Sequence, residues 1–161
     1  MKATMIAGAM LACLALPALA QPVTDWSKVE IKTTDLGHGV YLLGWRGGDS
    51  VVLSTPEGVL LMDTSVPQMA GKIDAAIRRL SDRPLRYIVN AHAHADHFGG
   101  NEALAKGGAV IIAQENMRKR MVSGQYIAAF NQTIPPSPPA ALPKLTYTDQ
   151  MAIHLAARRW S

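Results

Sequence analysis

"NAHAHADHFGGN", residues 90–101, places three of the chain's five histidines and one aspartate within six positions: His92, His94, Asp96 and His97. The run ahead of it, "LRYIV" (85–89), is short and apolar with β-branched members, which predicts a buried strand. His92 and His94 are two residues apart. On a helix they would diverge by about 200°, whereas in a strand or extended loop they point to one side. The strand therefore delivers both imidazoles together at its C-terminal end. Asp96 and His97 follow as the chain turns, and Gly99-Gly100 permits a tight bend with close backbone approach.

A lone histidine in a core is commonly a hydrogen-bonded packing residue. Three within six positions are too costly to bury without strong partners. A solvated loop does not explain a cluster set between a buried strand and two glycines. Imidazole nitrogen and carboxylate oxygen are the ligands zinc takes in catalytic sites. Four such ligands in six residues do not easily converge on one tetrahedral ion. They fit better as two pairs serving adjacent metals, which two-metal hydrolytic sites hold about 3.5–4 Å apart.

Upstream of the motif, residues 29–62 read as strands in consecutive antiparallel hairpins. "VEIKTTDL", "VYLLGW", "SVVLST" and "VLLMD" are separated by Gly37-His38-Gly39, Gly47-Gly48-Asp49 and Pro56-Glu57-Gly58. His38, between two glycines, reads as a surface turn residue rather than a ligand. The period then changes. Val66, Met69, Ile73, Ile77 and Leu80 recur at helical spacing, with Ser65 as the expected cap and Pro67 in the first turn. The charged Lys72, Asp74, Arg78 and Arg79 fall elsewhere, which describes an amphipathic helix over a sheet.

Downstream, Asn101 is expected to cap a short helix, "EALAK", that Gly107-Gly108 stops. "AVIIA" (109–113) reads as a strand and "QENMRKRM" as a helix. Arg118-Lys119-Arg120 reads as a solvated helix face, not a nucleic-acid patch. Regularity is lost from Val122 to Lys144. "IPPSPPAALP" (134–143) packs five prolines into ten residues and reads as a loop lying over a site. "LTYTDQMAIHL" (145–155) reads as the start of a strand or hairpin.

At 161 residues the chain is about one ordinary domain, and 48% apolar content excludes a disordered polymer. The net charge of +4 is mild and its basic residues are scattered. Residues 1–20, "MKATMIAGAMLACLALPALA", carry one positive charge at Lys2, then an apolar run ending in Ala18-Leu19-Ala20. This is the pattern of a cleaved signal peptide. The apolar core is shorter than the roughly 20 residues a membrane anchor needs. The expectation is export to a periplasmic or secreted location, a mature chain of residues 21–161, and no stable membrane anchor. Cys13, the single cysteine, lies in that leader, so a mature chain has neither a disulfide nor a thiolate ligand.

H-x-H-x-D-H followed by Gly-Gly, after a strand, resembles the signature of the metallo-β-lactamase superfamily. The likeness covers the hairpins, the "VLLMDT" strand, the helix, the strand and the motif loop. It implies an α/β (α+β) fold, the N-terminal portion of a four-layer αββα sandwich with mixed β-sheets. His92 and His94 match ligands of a first metal, and Asp96 and His97 match ligands of a second. Asp63 matches an early aspartate that orients the motif loop, a role compatible with a turn residue or helix cap. Asp96 matches the residue that also holds the attacking hydroxide. The implied activity is a zinc hydrolase, with two ions in the complete enzyme, acting on an ester, thioester, amide or lactam carbonyl of a small molecule. Zinc lowers the pKa of a bound water to about 7 and polarises the carbonyl. An iron-dependent sulfur dioxygenase of the same fold is the alternative enzyme.

The resemblance also implies later ligands. After His97 the sequence holds only His154, expected to be a strand residue, so each metal site is half built and one sheet lacks its partner. Relatives continue after this strand with a sequence such as "HLGGEEV". One choice of codons for it, CTG GGC GGC GAG GAG GTG GTC, read after loss of one G, gives Leu-Ala-Ala-Arg-Arg-Trp, as in residues 155–160. The expectation is a frameshifted fragment of a longer enzyme, impaired or non-catalytic.

Overall fold

A computed structural model describes residues 24–155. Residues 1–23, which include the expected leader, and residues 156–161 lie outside the described residues. Four strands follow one another as an antiparallel meander: β1 (Lys32–Gly37), β2 (Val40–Trp45), β3 (Gly48–Thr55) and β4 (Gly58–Met62). The turn glycines and His38 adopt positive φ, with His38 at +54°, which is why this connection needs residues without a demanding side chain.

A 3-10 turn at Pro67–Met69 leads into helix α1 (Ala70–Leu80), which returns the chain to strand β5 (Leu85–Asn90), parallel to β4. After the motif come the short helices α2 (Ala95–Phe98) and α3 (Asn101–Ala105). Strand β6 (Val110–Gln114), parallel to β5, is followed by helix α4 (Glu115–Ser123). The hairpin β7 (Gln125–Ile127) and β8 (Gln132–Ile134) stands apart as a two-stranded sheet, and β9 (Leu145–Tyr147) joins β6 in parallel. The main sheet therefore has seven strands in the order β1-β2-β3-β4-β5-β6-β9, antiparallel on one side and parallel on the other.

Alternation along the strands sends Leu43, Val52, Leu61, Ile88 and Ile111 to one face. There they pack with Met69, Ile73 and Ile77 of the helical segment, all at most 3% exposed. The opposite side chains, such as Leu42, Leu53 and Leu60, stay partly exposed. A smaller cluster of Phe98, Met117, Met121 and Ile134 joins the motif loop to α4 and the β7–β8 hairpin. No helix among the described residues is long and apolar enough to cross a membrane.

Four local expectations are corrected. Ser65 does not cap the helix: it has φ +58°, and Val66 precedes the first turn with no side-chain cap. Asn101 is not a cap either. It lies inside α3, fully buried, because its amide finds better partners below the motif than at a helix end. Segment 122–144 is more regular than expected: it holds the end of α4, the β7–β8 hairpin and a 3-10 turn at Pro139–Ala141. His154 is exposed in an irregular stretch, since β9 stops at Tyr147.

Candidate metal centre

Strand β5 ends at Asn90; the chain then bends at His92 and Ala93 and is extended at His94, with φ −102° and ψ 142°. Both rings reach the same space, their centroids 4.6 Å apart, and His92 Nε2 lies 3.1 Å from His94 Nδ1. The turn of α2 then brings His97 back over His92, with ring centroids 3.9 Å apart. Asp96 projects toward solvent with Oδ2 3.7 Å from His97 Nε2. All four motif residues expected at the site are thus neighbours.

Asp63 joins them from the end of β4. It is 7% exposed, and each of its carboxylate oxygens accepts one bond: Oδ1 from the Ala91 amide and Oδ2 from His97 Nδ1, both at 2.8 Å. A carboxylate accepts only, so the His97 Nδ1 proton is committed and the Nε2 lone pair is left toward Asp96. Burial, aided by the nearby His97 and His94, holds the His92 imidazole below its ordinary pKa of 6.5, against smaller pulls from Asp63 and Asp96. His92 retains solvent access, but His97 covers one face of its ring.

The Gly-Gly pair does not act as a left-handed bend. Gly99 and Gly100 have φ of −60° and −82°. They are required for close approach. A Cβ on Gly99 would meet Pro67 Cδ at 2.6 Å and Ser65 O at 3.0 Å, and one on Gly100 would fall against the Thr64 carbonyl. The segment Asp63–Ser65 runs directly along the motif loop, with Thr64 N donating to His97 O (2.8 Å) and Gly100 N to Ser65 O (3.1 Å).

Sequence reasoning missed the polar residues behind the ligands: Ser50, Thr64, Asn90 and Asn101. Ser50 Oγ donates to Asp63 O at 2.9 Å, and the other three form one network under His97. The only signal was that two asparagines bracket the motif. Gln125, at the start of β7, donates to Ala93 O and ties the hairpin to the motif loop. Phe130, 66% exposed, stands 6.2 Å from the His94 ring, between centroids. The basic run is not wholly solvated, because Arg118 Nε donates to Pro143 O at 3.0 Å.

Imidazole nitrogen and carboxylate oxygen are donors of the kind a divalent cation takes. Two nitrogens on one tetrahedral zinc, each bonded at about 2.0–2.1 Å, lie about 3.3 Å apart. His92 Nε2 and His94 Nδ1 are 3.1 Å apart, which is also an N–H···N hydrogen-bond distance. The Asp96–His97 contact of 3.7 Å forms a second, adjacent pair. Among the described residues, no set of three or more His, Cys, Asp or Glu side chains is arranged to hold a metal ion.

The structure is a mixed sheet with helices, with histidines and a carboxylate gathered after the end of a parallel strand. The sequence model of the metallo-beta-lactamase superfamily matches residues 43–146, and the chain belongs to that superfamily. A Cronobacter sakazakii metallo-beta-lactamase with an HARLDQ motif superposes with a TM-score of 0.68 at 30% identity, over 81% of this chain and 51% of that one. A subclass B3 metallo-beta-lactamase isolated from a soil metagenome library superposes with a TM-score of 0.68 at 28% identity, over 83% of this chain and 52% of the other. A linear primary-alkylsulfatase of a Pseudomonas species is 38% identical over 80 residues, which are 45% of this chain and 15% of the relative. The chain spans about half the length of these lactamases and a smaller share of the sulfatase.

Proposed function

We propose that the chain carries the first ligands of a two-zinc hydrolase acting on a small molecule, with a lactam, ester or thioester carbonyl as the bond attacked. The observation that carries this reading is the paired spacing: His92 with His94 at 3.1 Å and Asp96 with His97 at 3.7 Å. In this reading His92 and His94 hold one ion, Asp96 and His97 the second, and Asp63 orients His97. A bound zinc supplies a Lewis acid and an activated water.

The chain's own residues contribute orientation and proton control. Asp63 keeps the His97 proton on Nδ1, so that Nε2 stays a donor of electrons. Asp96 Oδ2, exposed beside that nitrogen, accepts a hydrogen bond from incoming water. Phe130 offers an exposed aromatic wall to an apolar part of the substrate. Each ion needs more donors than a pair, so the chain by itself is proposed to be impaired as a catalyst. The leader supports export to the periplasm or beyond.

The alkylsulfatase likeness supports one second reading, a sulfate ester in place of a carbonyl substrate. The test is zinc titration of the chain from residue 21, with metal analysis and assays on nitrocefin, a thioester and an alkyl sulfate. Stoichiometric zinc binding that is lost in His92→Ala and His97→Ala supports the reading. No zinc binding, or iron with sulfur-dioxygenase activity, overturns it.

A further inference from the structure

Beneath the ligands lies a polar network that the proposed chemistry does not itself use. Asn101 is fully buried, yet all four hydrogen-bonding positions of its carboxamide are filled. Its Nδ2 donates to Asn90 Oδ1 (2.8 Å) and to Ala141 O (3.0 Å). Its Oδ1 accepts from Asn90 Nδ2 (3.1 Å) and Thr64 Oγ1 (2.9 Å). Asn90 Nδ2 also reaches His97 O at 3.2 Å. Thr64 Oγ1 has one proton and two acceptors, Asn101 Oδ1 at 2.9 Å and His97 O at 3.3 Å, so the shorter contact takes it.

The amide orientations follow from chemistry. Ala141 O and His97 O can only accept, so the nitrogens of Asn101 and Asn90 must face them. With both nitrogens fixed, the two carboxamides pair reciprocally, and no flipped arrangement satisfies every atom. Ala141 belongs to the proline-rich segment 134–143, which is also held by Ile134 in the β7–β8 ladder, by Leu142 against the smaller core cluster, and by Ser137 N to Met121 O (2.7 Å) and Arg118 Nε to Pro143 O (3.0 Å). Asn101 therefore joins that segment to the His97 carbonyl through Asn90, two buried side chains in series.

We propose that Asn101 is a positioning residue that couples the proline-rich segment to the ligand loop. It fixes Asn90 and Thr64 against the His97 carbonyl, so that the seating of residues 134–143 and the geometry of the Asp96–His97 pair change together. The metal half of this proposal rests on the proposed function; the coupling half does not.

The test uses the chain from residue 21 as Asn101→Ala, Thr64→Val and Thr64→Ser, with Ile73→Val in the core as control. Amide exchange is followed at Gly100, which donates to Ser65 O, and at Ala141, which donates to Pro138 O. Zinc affinity is read by competition with a chromophoric chelator. Asn101→Ala and Thr64→Val are expected to speed exchange at both amides about fivefold or more and to weaken zinc about 10–100-fold. Thr64→Ser, which keeps the hydroxyl, restores both, and Ile73→Val moves neither selectively. Faster exchange at Gly100 with Ala141 unchanged, or equal effects in the control, overturns the coupling. Unchanged zinc affinity in both variants overturns the positioning. If Asn101→Ala does not fold, the Thr64→Val and Thr64→Ser pair supplies both readings. If the parent chain binds no zinc, the proposed function and the positioning fall together, while the exchange rates still decide the coupling.

Discussion

Asp63→Asn tests the site without changing its shape. The Ala91 amide is a fixed donor 2.8 Å from Asp63 Oδ1, so the new side chain must turn its carbonyl oxygen there. Its NH2 then faces His97 Nδ1, which lies 2.8 Å from the present Oδ2. Two donors cannot share that contact, so His97 must accept at Nδ1 and carry its proton on Nε2, the nitrogen assigned to metal. Two bonds to a carboxylate become neutral bonds. Charged bonds contribute about 1.5–3 kcal/mol and neutral ones about 0.5–1.5, so the loss is about 2–3 kcal/mol of stability. For a chain of this size that lowers Tm by roughly 4–12 °C. The tautomer change removes a ligand nitrogen, and zinc affinity should fall at least 10–100-fold, or about 1.4–2.7 kcal/mol. Imidazole nitrogen NMR reads the tautomer, calorimetry the stability, and chelator competition the affinity. If His97 keeps its proton on Nδ1 and zinc binds within about twofold of the parent, the orienting role of Asp63 is wrong.

Acidification should destabilise the metal-free chain through His92, whose pKa is held below 6.5. The unfolded chain takes up that proton first, so this contribution is full above about pH 6.5 and is lost as pH falls below it. The urea midpoint should drop from about pH 7.5 to 5.5, and His92→Gln should reduce the drop; an equal drop in the variant rejects the assignment. Lys72 Nζ donates to three carbonyls, Trp26 O (2.9 Å), Ser27 O (2.8 Å) and Val29 O (2.7 Å), and so ties the first described residues to α1. These contacts are partly solvated, so Lys72→Met should cost about 1–2 kcal/mol and raise proteolysis near residues 26–31; unchanged cleavage there would count against the tie. Gly100→Ala should cost about 1–3 kcal/mol because its Cβ meets the Thr64 backbone. Gly107→Ala meets nothing within 4 Å and should change stability by less than about 0.5 kcal/mol. Equal denaturation midpoints for the two variants would refute the close-approach argument.

The parts of this fold legible in the sequence were those set by local pattern. Alternation and turn residues placed the meander within a few residues: "VYLLGW" is β2 as observed, and the helical period 66–80 matches the segment from Pro67 to Leu80. The gathering of His92, His94, Asp96 and His97 was legible because all four lie within six residues, where geometry is nearly local. Asn101 and Ser65 were misread for one reason. Both are good capping residues by type, and what they do instead depends on partners 11 to 40 residues distant. Type and neighbourhood give no view of such partners. The β7–β8 hairpin was hidden in the same way, since Gln125 and Ile134 find their places by contact with Ala93 and the motif-side cluster.

Two of the four non-glycine residues with positive φ among the described residues lie where the site is assembled. Asp63 and Ser65 adopt φ of +61° and +58° on either side of Thr64. Each such residue costs about 1–2 kcal/mol, less for aspartate than for serine. Relaxing either would carry β4 past the motif loop instead of along it. What holds the strained form is a set of six bonds: Ala91 N and His97 Nδ1 to the Asp63 carboxylate, Ser50 Oγ to Asp63 O, Thr64 N to His97 O, Thr64 Oγ1 to Asn101, and Gly100 N to Ser65 O. At about 1 kcal/mol net each, these outweigh the strain. Five of the six end on residues 91–101. The kink and the ligand loop therefore stabilise each other, and neither should persist alone. This explains why a change as small as one methyl at Gly100 or one atom at Asp63 should register at the metal ligands: the ligands are held by a bonded kink rather than by the strand that delivers them.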